Sequence, residues 1–578
     1  MKKKFLQEFW SLLRGYWISE QRWRACGLLA VVIALNFAIV YLLVLINSWY
    51  NEFYNALQAY AVEQFWPLIG KFAFLAFLHI AIAVYAVYLQ QMLQLRWRTW
   101  MTDRYLASWM KNQAYYRLQV LGSDMDNPDQ RIQEDINQFV TLTLSILLGV
   151  LKQMTTLAAF AVVLWNLSGV LEVPLGSGTF TIYGYMLWFS LLYSIIGTYL
   201  AHRVGRRLIG LDYEQQRYEA DFRFSMTRVR ENSESIAFYG GEQPEQAGFQ
   251  HRFAQVIKNY WGIMRQMKFL NYYANCYAQL AIIAPLVLAA PRYFAGAMAL
   301  GGLMQTISAF GRVQDALSYF VTVYDNIAQL IAVIHRLTGF TQHLEAVGEL
   351  QTDVELMPAE GADFVAENIE VGLPDGRQLL AGCSFSLPRG CRILVTGSSG
   401  CGKSTLFRTL AGLWPFGRGQ VKVPKGTRTL FLPQRPYLPL GSLRDAIWYP
   451  LAAQGSEQRL QEVLQLVGLP ELADRLDTVD DWSRILSLGE QQRIAFARIL
   501  LVEPQWVFLD EATSALDEPR EREMYEMLRR ELPGTSIVSV GHRSTLFAQH
   551  DQELHLLGGK QWILREIPPA PAGAEGPK

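Results

Sequence analysis

Runs of about 20 mostly apolar residues, the length a helix needs to cross the hydrocarbon core of a bilayer, recur at 26–47, 65–89, 142–167, 183–201 and 271–290. A sixth run, 302–333, is long enough but carries many polar groups. One such run can be the buried helix of a soluble core, but several in one chain cannot all be hidden that way. The N-terminal part is therefore read as an α-helical membrane domain, 26–340, with six transmembrane helices.

Basic residues set its orientation, because cytoplasmic flanks of membrane spans carry the excess of Lys and Arg. Lys2, Lys3, Lys4, Arg14, Arg22 and Arg24 precede the first run, and Arg96, Arg98, Arg104, Lys111, Arg117 and Arg131 follow the second. The 48–64 and 168–182 connections hold no Lys or Arg, and 291–301 holds only Arg292. Both termini are thus expected in the cytoplasm. The start of the chain looks like a signal peptide, yet Arg14, Arg22 and Arg24 interrupt it before any apolar run. Phe5, Trp10, Leu12, Leu13 and Trp17 instead predict one face of an amphipathic helix on the cytoplasmic surface, within an N-terminal segment 1–25. The connections 90–141 and 202–270 predict helices extending from the membrane. They turn at Asn127-Pro128-Asp129-Gln130 and Glu231-Asn232-Ser233-Glu234, whose turn and cap chemistry suits short docking helices.

Past residue 340 the character changes. A linker is expected at 341–363, an α/β domain at 364–567 and a disordered Pro/Ala/Gly-rich tail at 568–578. Residues 392–396 form an apolar strand, and Gly397-Ser398-Ser399-Gly400-Cys401-Gly402-Lys403-Ser404-Thr405 then opens a helix, the G-x-x-x-x-G-K-[ST] pattern in the context it requires. The glycines let backbone N–H groups curl toward phosphate oxygens, Lys403 reaches the β- and γ-phosphates of ATP, and Ser404 ligates Mg²⁺. About a hundred residues on, an apolar strand ends in Asp510 and Glu511. Asp510 is placed to hold Mg²⁺ through water, and Glu511 to polarise the attacking water as general base.

With these motifs on the page, 365–550 resembles an ATP-binding-cassette ATPase. Gln434 matches the Q-loop, Ser487-Leu488-Gly489-Glu490-Gln491 the signature loop, Ser514-Ala515-Leu516-Asp517 the D-loop and His542 the switch histidine. The resemblance implies that Gln434 joins Ser404 and Asp510 at Mg²⁺, and that His542 senses the γ-phosphate. It also implies that Ser487, Gly489, Glu490 and Asp517 complete the nucleotide site of a second chain, so that one cassette per chain means a homodimer. Two departures stand out: Leu488 replaces a usual glycine and Glu490 a usual glutamine, which puts tight closure in question. Leu373-Pro374 stands where an aromatic usually stacks on adenine, which predicts weak base discrimination.

Gly412-Leu413-Trp414-Pro415, Pro433–Tyr437, Gly441–Asp445 and Asn232–Gly240 resemble peroxisomal fatty-acyl half-transporters. Asn127–Arg131, Ala290–Phe294 and Leu337–Gly339 are similar to the bacterial SbmA/BacA-like membrane domain fused to a cassette. That group implies an exporter-type fold in the bacterial inner membrane and uptake of peptides or other bulky hydrophilic compounds, including cobalamin. Polar groups at membrane depth point the same way. Asn271, Asn275 and Gln279 recur every four residues, the sixth run carries Gln305, Arg312, Gln314, Asp315 and Asp325, and the third carries Lys152. Ionisable groups there are costly and face water or pair internally, as Arg312 and Asp315 could. Lys152, Asn271, Asn275, Gln279, Arg312 and Asp315 are therefore candidate cavity residues for a transported solute. The alternatives are fatty acids or acyl-CoA as cargo, and an ATP-gated channel or receptor subunit. Lys plus Arg and Asp plus Glu balance at 52 each, which gives no global attraction to nucleic acid. The five cysteines, Cys26, Cys276, Cys383, Cys391 and Cys401, form no metal-ligand spacing.

Overall fold

A computed structural model describes residues 2–121, 127–175, 178–349, 353–451 and 456–568. It divides into two compact units, Met1–Ala107 with Asp126–Thr341, and Ser108–Met125 with Gln342–Lys578. Most of the expected tail, and the side chain of Asp325, lie outside the described residues.

The first unit is helical. The helices are α1 (Lys2–Trp17), α2 (Arg22–Gln58) and α3 (Val62–Met110), whose last three residues belong to the second unit, then α5 (Ile136–Ser168), α6 (Tyr185–Glu231), α7 (Ser233–Tyr239), α8 (Glu242–Phe294), α9 (Leu300–Thr322) and α10 (Tyr324–Glu349), with α4 assigned below. A β1–β2 hairpin (Val170–Leu175, Gly178–Tyr183) joins α5 to α6. The stretches Arg22–Gln58, Val62–Val120, Pro128–Ser168 and Glu242–Phe294 are long and apolar enough to cross a membrane. The expected span 183–201 begins the more polar α6. The run 302–333 is two helices, divided at Val323.

Polar side chains knit this unit, including some of those the sixth run carries. Asn47 and Asn51 donate to the backbone carbonyl and Oε1 of Gln305 (3.0 and 2.9 Å), and Asn55 and Gln58 accept from the N–H groups of Gly301 and Leu300. These residues form one stripe of α2 that satisfies the free donors at the start of α9. Gln305 and Gln314 are accordingly buried and do not line open space. Arg292 donates to the carbonyls of Leu167 and Ser168, placing a cation at the C-terminal end of α5. Fully buried Asp135 accepts from Arg131 (2.9 Å) and from Nε of Arg336 on α10 (2.9 Å). In α1, Tyr16 is buried and stacks on Trp97 (5.7 Å between centroids), while Leu6 and Trp10 point outward. The single apolar face expected for this helix is thus split between an anchor to α3 and an exposed side.

The second unit holds the α/β domain. Its six-stranded sheet runs β12–β11–β6–β10–β9–β8, with β6 Arg392–Gly397, β8 Thr429–Leu432, β9 Trp506–Asp510, β10 Ser536–Val540, β11 Gln552–Gly558 and β12 Gln561–Glu566. A second sheet runs β3–β7–β4–β5, with β3 Asp353–Ala359, β4 Phe364–Gly372, β5 Gln378–Leu387 and β7 Gly417–Pro424. The expected linker is therefore largely structured: α10 continues to Glu349, and β3 pairs in parallel with β7.

The first docking helix also differs in place. Asn112 and Gln113 both adopt positive φ (50° and 55°), which ends α3 and starts α4 (Ala114–Val120). Val120 packs on the apolar core between the two sheets, and Ala114 and Leu118 are buried. The segment 127–130 instead starts the helical run that leads into α5, with Asn127 left-handed before Pro128.

Candidate nucleotide site

Strand β6 is buried along its middle and flanked in parallel by β10 and β11. Its end therefore delivers the chain to the carboxyl edge of the sheet, where open α/β folds bind ligands. Gly397 leaves the strand at φ 142°, and a Cβ there would lie 2.5 Å from the Leu556 carbonyl. Gly400 and Gly402 also need positive φ, so the loop can curl only with glycine at these points. It opens directly into α11 (Lys403–Leu410), whose free N–H groups and dipole favour an anion. Ser398, Ser399 and Gly400 are exposed, Cys401 is buried beneath Gly397, and Thr405 lies in the first turn of α11. The Lys403 ammonium rests on the carbonyls of Gly397 (2.8 Å) and Ser398 (3.0 Å), holding positive charge against the loop.

Beside it, Ser404 Oγ donates to Asp510 Oδ1 at 3.0 Å. Burial pushes the Asp510 carboxyl above the ordinary aspartate range, opposed first by the Ser404 hydrogen bond; neighbouring Glu511 adds to the rise, and Arg408 and Lys403 oppose it. Glu511 adopts φ 49°, and its Oε2 accepts from Gln434 Nε2 at 2.9 Å. One chain thus brings together a phosphate-binding loop, a lysine, a hydroxyl–carboxylate pair and a glutamate held by an amide. The arrangement can cradle a polyphosphate and orient a water.

His542 is exposed two residues beyond β10 and makes no hydrogen bond among the described residues. Ser487 caps α12 (Leu488–Val502), and Glu490 returns its carboxylate to the Ser487 N–H (2.8 Å), a reciprocal capping box. Glu490 thus builds the helix start. Leu488 takes up the first helical position without positive φ, so the glycine it replaces is not needed there for backbone freedom. Gly489 is the constrained position, since a Cβ would lie 3.3 Å from the Ala515 carbonyl. Asp517 caps the helix Glu518–Glu531 by accepting from the Arg520 N–H. Among the described residues, no hydrogen bond or ion pair joins Ser487, Gly489, Glu490 or Asp517 to the loop 397–405 of the same chain.

Sequence reading missed Gln492, which is fully buried. Its amide donates to the Gln434 carbonyl (3.0 Å) and Ser514 Oγ (3.2 Å), and its Oε1 accepts from the Ala515 N–H (3.0 Å). Arg543 donates to the carbonyls of Ser514 and Leu516 from the other side. Both read as ordinary polar residues in a helix and a loop, and no sequence signal separates them from solvated ones.

Residues 12–294 match the ABC transporter transmembrane region 2 family, and residues 380–514 the ABC transporter family. The chain is 34% identical to the inner membrane ABC transporter ATP-binding protein YddA of Escherichia coli, across 94% of this chain and 96% of that one. The chain belongs to the ABC transporter family. This ABC transporter is also 28% identical to the human lysosomal cobalamin transporter ABCD4, across 98% of this chain and 96% of that one. Its fold matches a bacterial Atm1-family ABC exporter with ATP bound, at TM-score 0.69 and 18% identity, across 93% and 94% of the two chains. The transporter binds ATP and couples its hydrolysis to transport.

In the membrane unit of this ABC transporter, Asn271, Asn275 and Gln279 are exposed along one face of α8, and the first two line a shallow open groove on that helix with Met264, Met267, Lys268 and Tyr272. Lys152 is half-buried on α5, and Arg312 and Asp315 are exposed on α9. No ion pair joins Arg312 to Asp315 among the described residues. The structure records no contact that brings these three to the asparagine face of α8.

Proposed function

We propose that the chain is one half of a homodimeric transporter of the bacterial inner membrane, with termini and cassette in the cytoplasm, importing peptides or other bulky hydrophilic compounds such as cobalamin by alternating access. A second copy is supported by the absence, among the described residues, of any hydrogen bond or ion pair joining Ser487 or Gly489 to the phosphate-binding loop 397–405 of the same chain. Exposed Phe238 and Tyr239 at the end of α7 fit the same reading, as an apolar tip left for a partner cassette.

Ser404, Asp510 and Gln434 offer hydroxyl, carboxylate and amide oxygens, the hard donors Mg²⁺ prefers, and the 3.0 Å Ser404–Asp510 contact supports their sharing one ion. Bound there, Mg²⁺ supplies charge neutralisation on the β- and γ-phosphates. Lys403 exchanges its loop carbonyls for phosphate oxygens. Glu511 orients the water and takes its proton, Gln434 holds that carboxylate in place, and His542 contacts the γ-phosphate.

The hydrophilic cargo rests on one observation. Arg312 and Asp315 stand on the open stripe of α9 without an ion-pair partner among the described residues, where a lipid-facing charge would cost about 2.5–3.5 kcal/mol. Uptake of a labelled peptide or cobalamin into right-side-out vesicles loaded with ATP tests the reading. ATP-dependent accumulation is expected. Accumulation only in inside-out vesicles would overturn the direction, and stimulation of ATPase activity by acyl-CoA alone would replace the cargo with the fatty-acyl alternative.

A further inference from the structure

Helix α9 packs against α2, α5, α6 and α8, so four helices cover most of its surface. Leu303, Gln305, Thr306, Ala309, Phe310, Val313, Gln314 and Ala316 are buried by them. What remains open is a stripe carrying Ser308, Gly311, Arg312 and Asp315. The α5–α9 crossing fixes what faces it: Gly149 lies under the Tyr319 ring, whose hydroxyl would collide with any Cβ there. Lys152 stands one turn from Gly149 on α5, and Asp315 and Arg312 stand one and two turns from Tyr319 on α9.

Other charges of this unit are already engaged. Lys71 pairs with Glu52, and Arg292 caps α5. Lys152 and Arg312 face a single acid, Asp315, and neither forms an ion pair among the described residues. Two cations against one acid leave a net positive charge, and a cleft in which one sign predominates between low-dielectric walls concentrates the opposite sign about tenfold or more.

We infer that Lys152 and Arg312 form a seat for an anionic group of the cargo, a carboxylate or a phosphate. The inference rests on the cavity reading above. A neutral or cationic cargo would leave both cations uncompensated, whereas a carboxylate or phosphate supplies the hydrogen-bond acceptors they lack.

The test needs no knowledge of the cargo. In a variant with its native cysteines replaced, Gly311→Cys places a thiol where an added Cβ meets nothing within 4 Å. Its reaction rates with an anionic and a cationic methanethiosulfonate are compared, normalised to a small free thiol. A preference of about tenfold for the anionic reagent is expected, falling toward unity when Lys152→Gln and Arg312→Gln are added. Protection by a tri-glutamate peptide assigns the seat to carboxylates, and protection by pyrophosphate assigns it to phosphates. Equal rates for the two reagents would overturn the anion seat while leaving the cavity intact. A thiol inert to both in ATP-free and ATP-trapped states would remove the cavity, and the seat with it.

Discussion

The two units use polar residues in opposite ways. In the cassette, most of the groups proposed to handle nucleotide are held by a neighbour, Ser404 on Asp510 and Gln434 on Glu511, with Gln492 tied to three loop atoms behind them; exposed His542 is the exception. In the membrane unit, Asp135 and Gln305 are equally well tied, but Lys152, Arg312 and Asp315 have no ion-pair partner among the described residues. A reaction whose geometry is always the same rewards side chains fixed in advance. A pathway that must admit and then release its load is served by groups with bonds to spare.

Four changes and one control probe that contrast, from the largest effect to the smallest. Glu511→Gln should lower ATP turnover by about 10²-fold or more by removing the base, while fluorescent-nucleotide binding persists. Turnover near the parental rate would take Glu511 out of this role. Arg336→Gln strips a partner from fully buried Asp135 and should cost up to about 3–5 kcal/mol, less where Arg131 compensates, read as a lowered unfolding temperature. Arg312→Gln is its control, because it removes a charge with no partner to strand. Its melting temperature should stay level or rise, and a drop as large as that of Arg336→Gln would show that Arg312 is a structural ion after all.

Gln492→Leu leaves the Gln434 carbonyl, Ser514 and Ala515 without their buried partner, at about 1–3 kcal/mol. If the side chain positions the loops, kcat should fall by about tenfold with little change in KM for ATP. A purely structural residue would lower the melting temperature alone. The smallest effect concerns Asp510. Because burial disfavours its charged form, the folded-state carboxyl is protonated at higher pH than an ordinary aspartate, and the penalty on the ligand-free fold is absent below the ordinary aspartate range, grows as pH rises through it and is complete above the raised pKa. Asp510→Asn should therefore raise the melting temperature without nucleotide at neutral pH by a degree or two, on the order of ΔΔG below 1 kcal/mol, and abolish stabilisation by Mg²⁺-ATP. A lower melting temperature would mean that the Ser404 hydrogen bond outweighs desolvation.

What could be read from the sequence depended on how local its cause was. The loop 397–405 was legible because strand, glycines and helix N-terminus lie within one short stretch. Strand β3 was not, because its partner β7 lies 65 residues further on and 353–359 has the composition of a linker. The break before α4 was hidden for another reason: Asn112 and Gln113 take left-handed conformations without the glycine or proline that usually marks one. Gln305 read only as one more polar group of the sixth run, since its partners Asn47 and Asn51 sit more than 250 residues away on another helix. Residues whose task is set by remote neighbours read as generic polar positions.

The single amide of Gln492 has a consequence for how many states the cassette can visit. It bonds the strand-end loop of Gln434 and the loop of Ser514 and Ala515 from one buried point. Displacing one loop while the other stays breaks at least one of these bonds without exposing the freed atoms to water. At about 1–3 kcal/mol for each such atom, a singly displaced arrangement is populated at roughly one part in five to one part in a hundred and fifty. The cassette therefore behaves as a nearly two-valued element, in which the loop beside Glu511 and the loop before Asp517 change together.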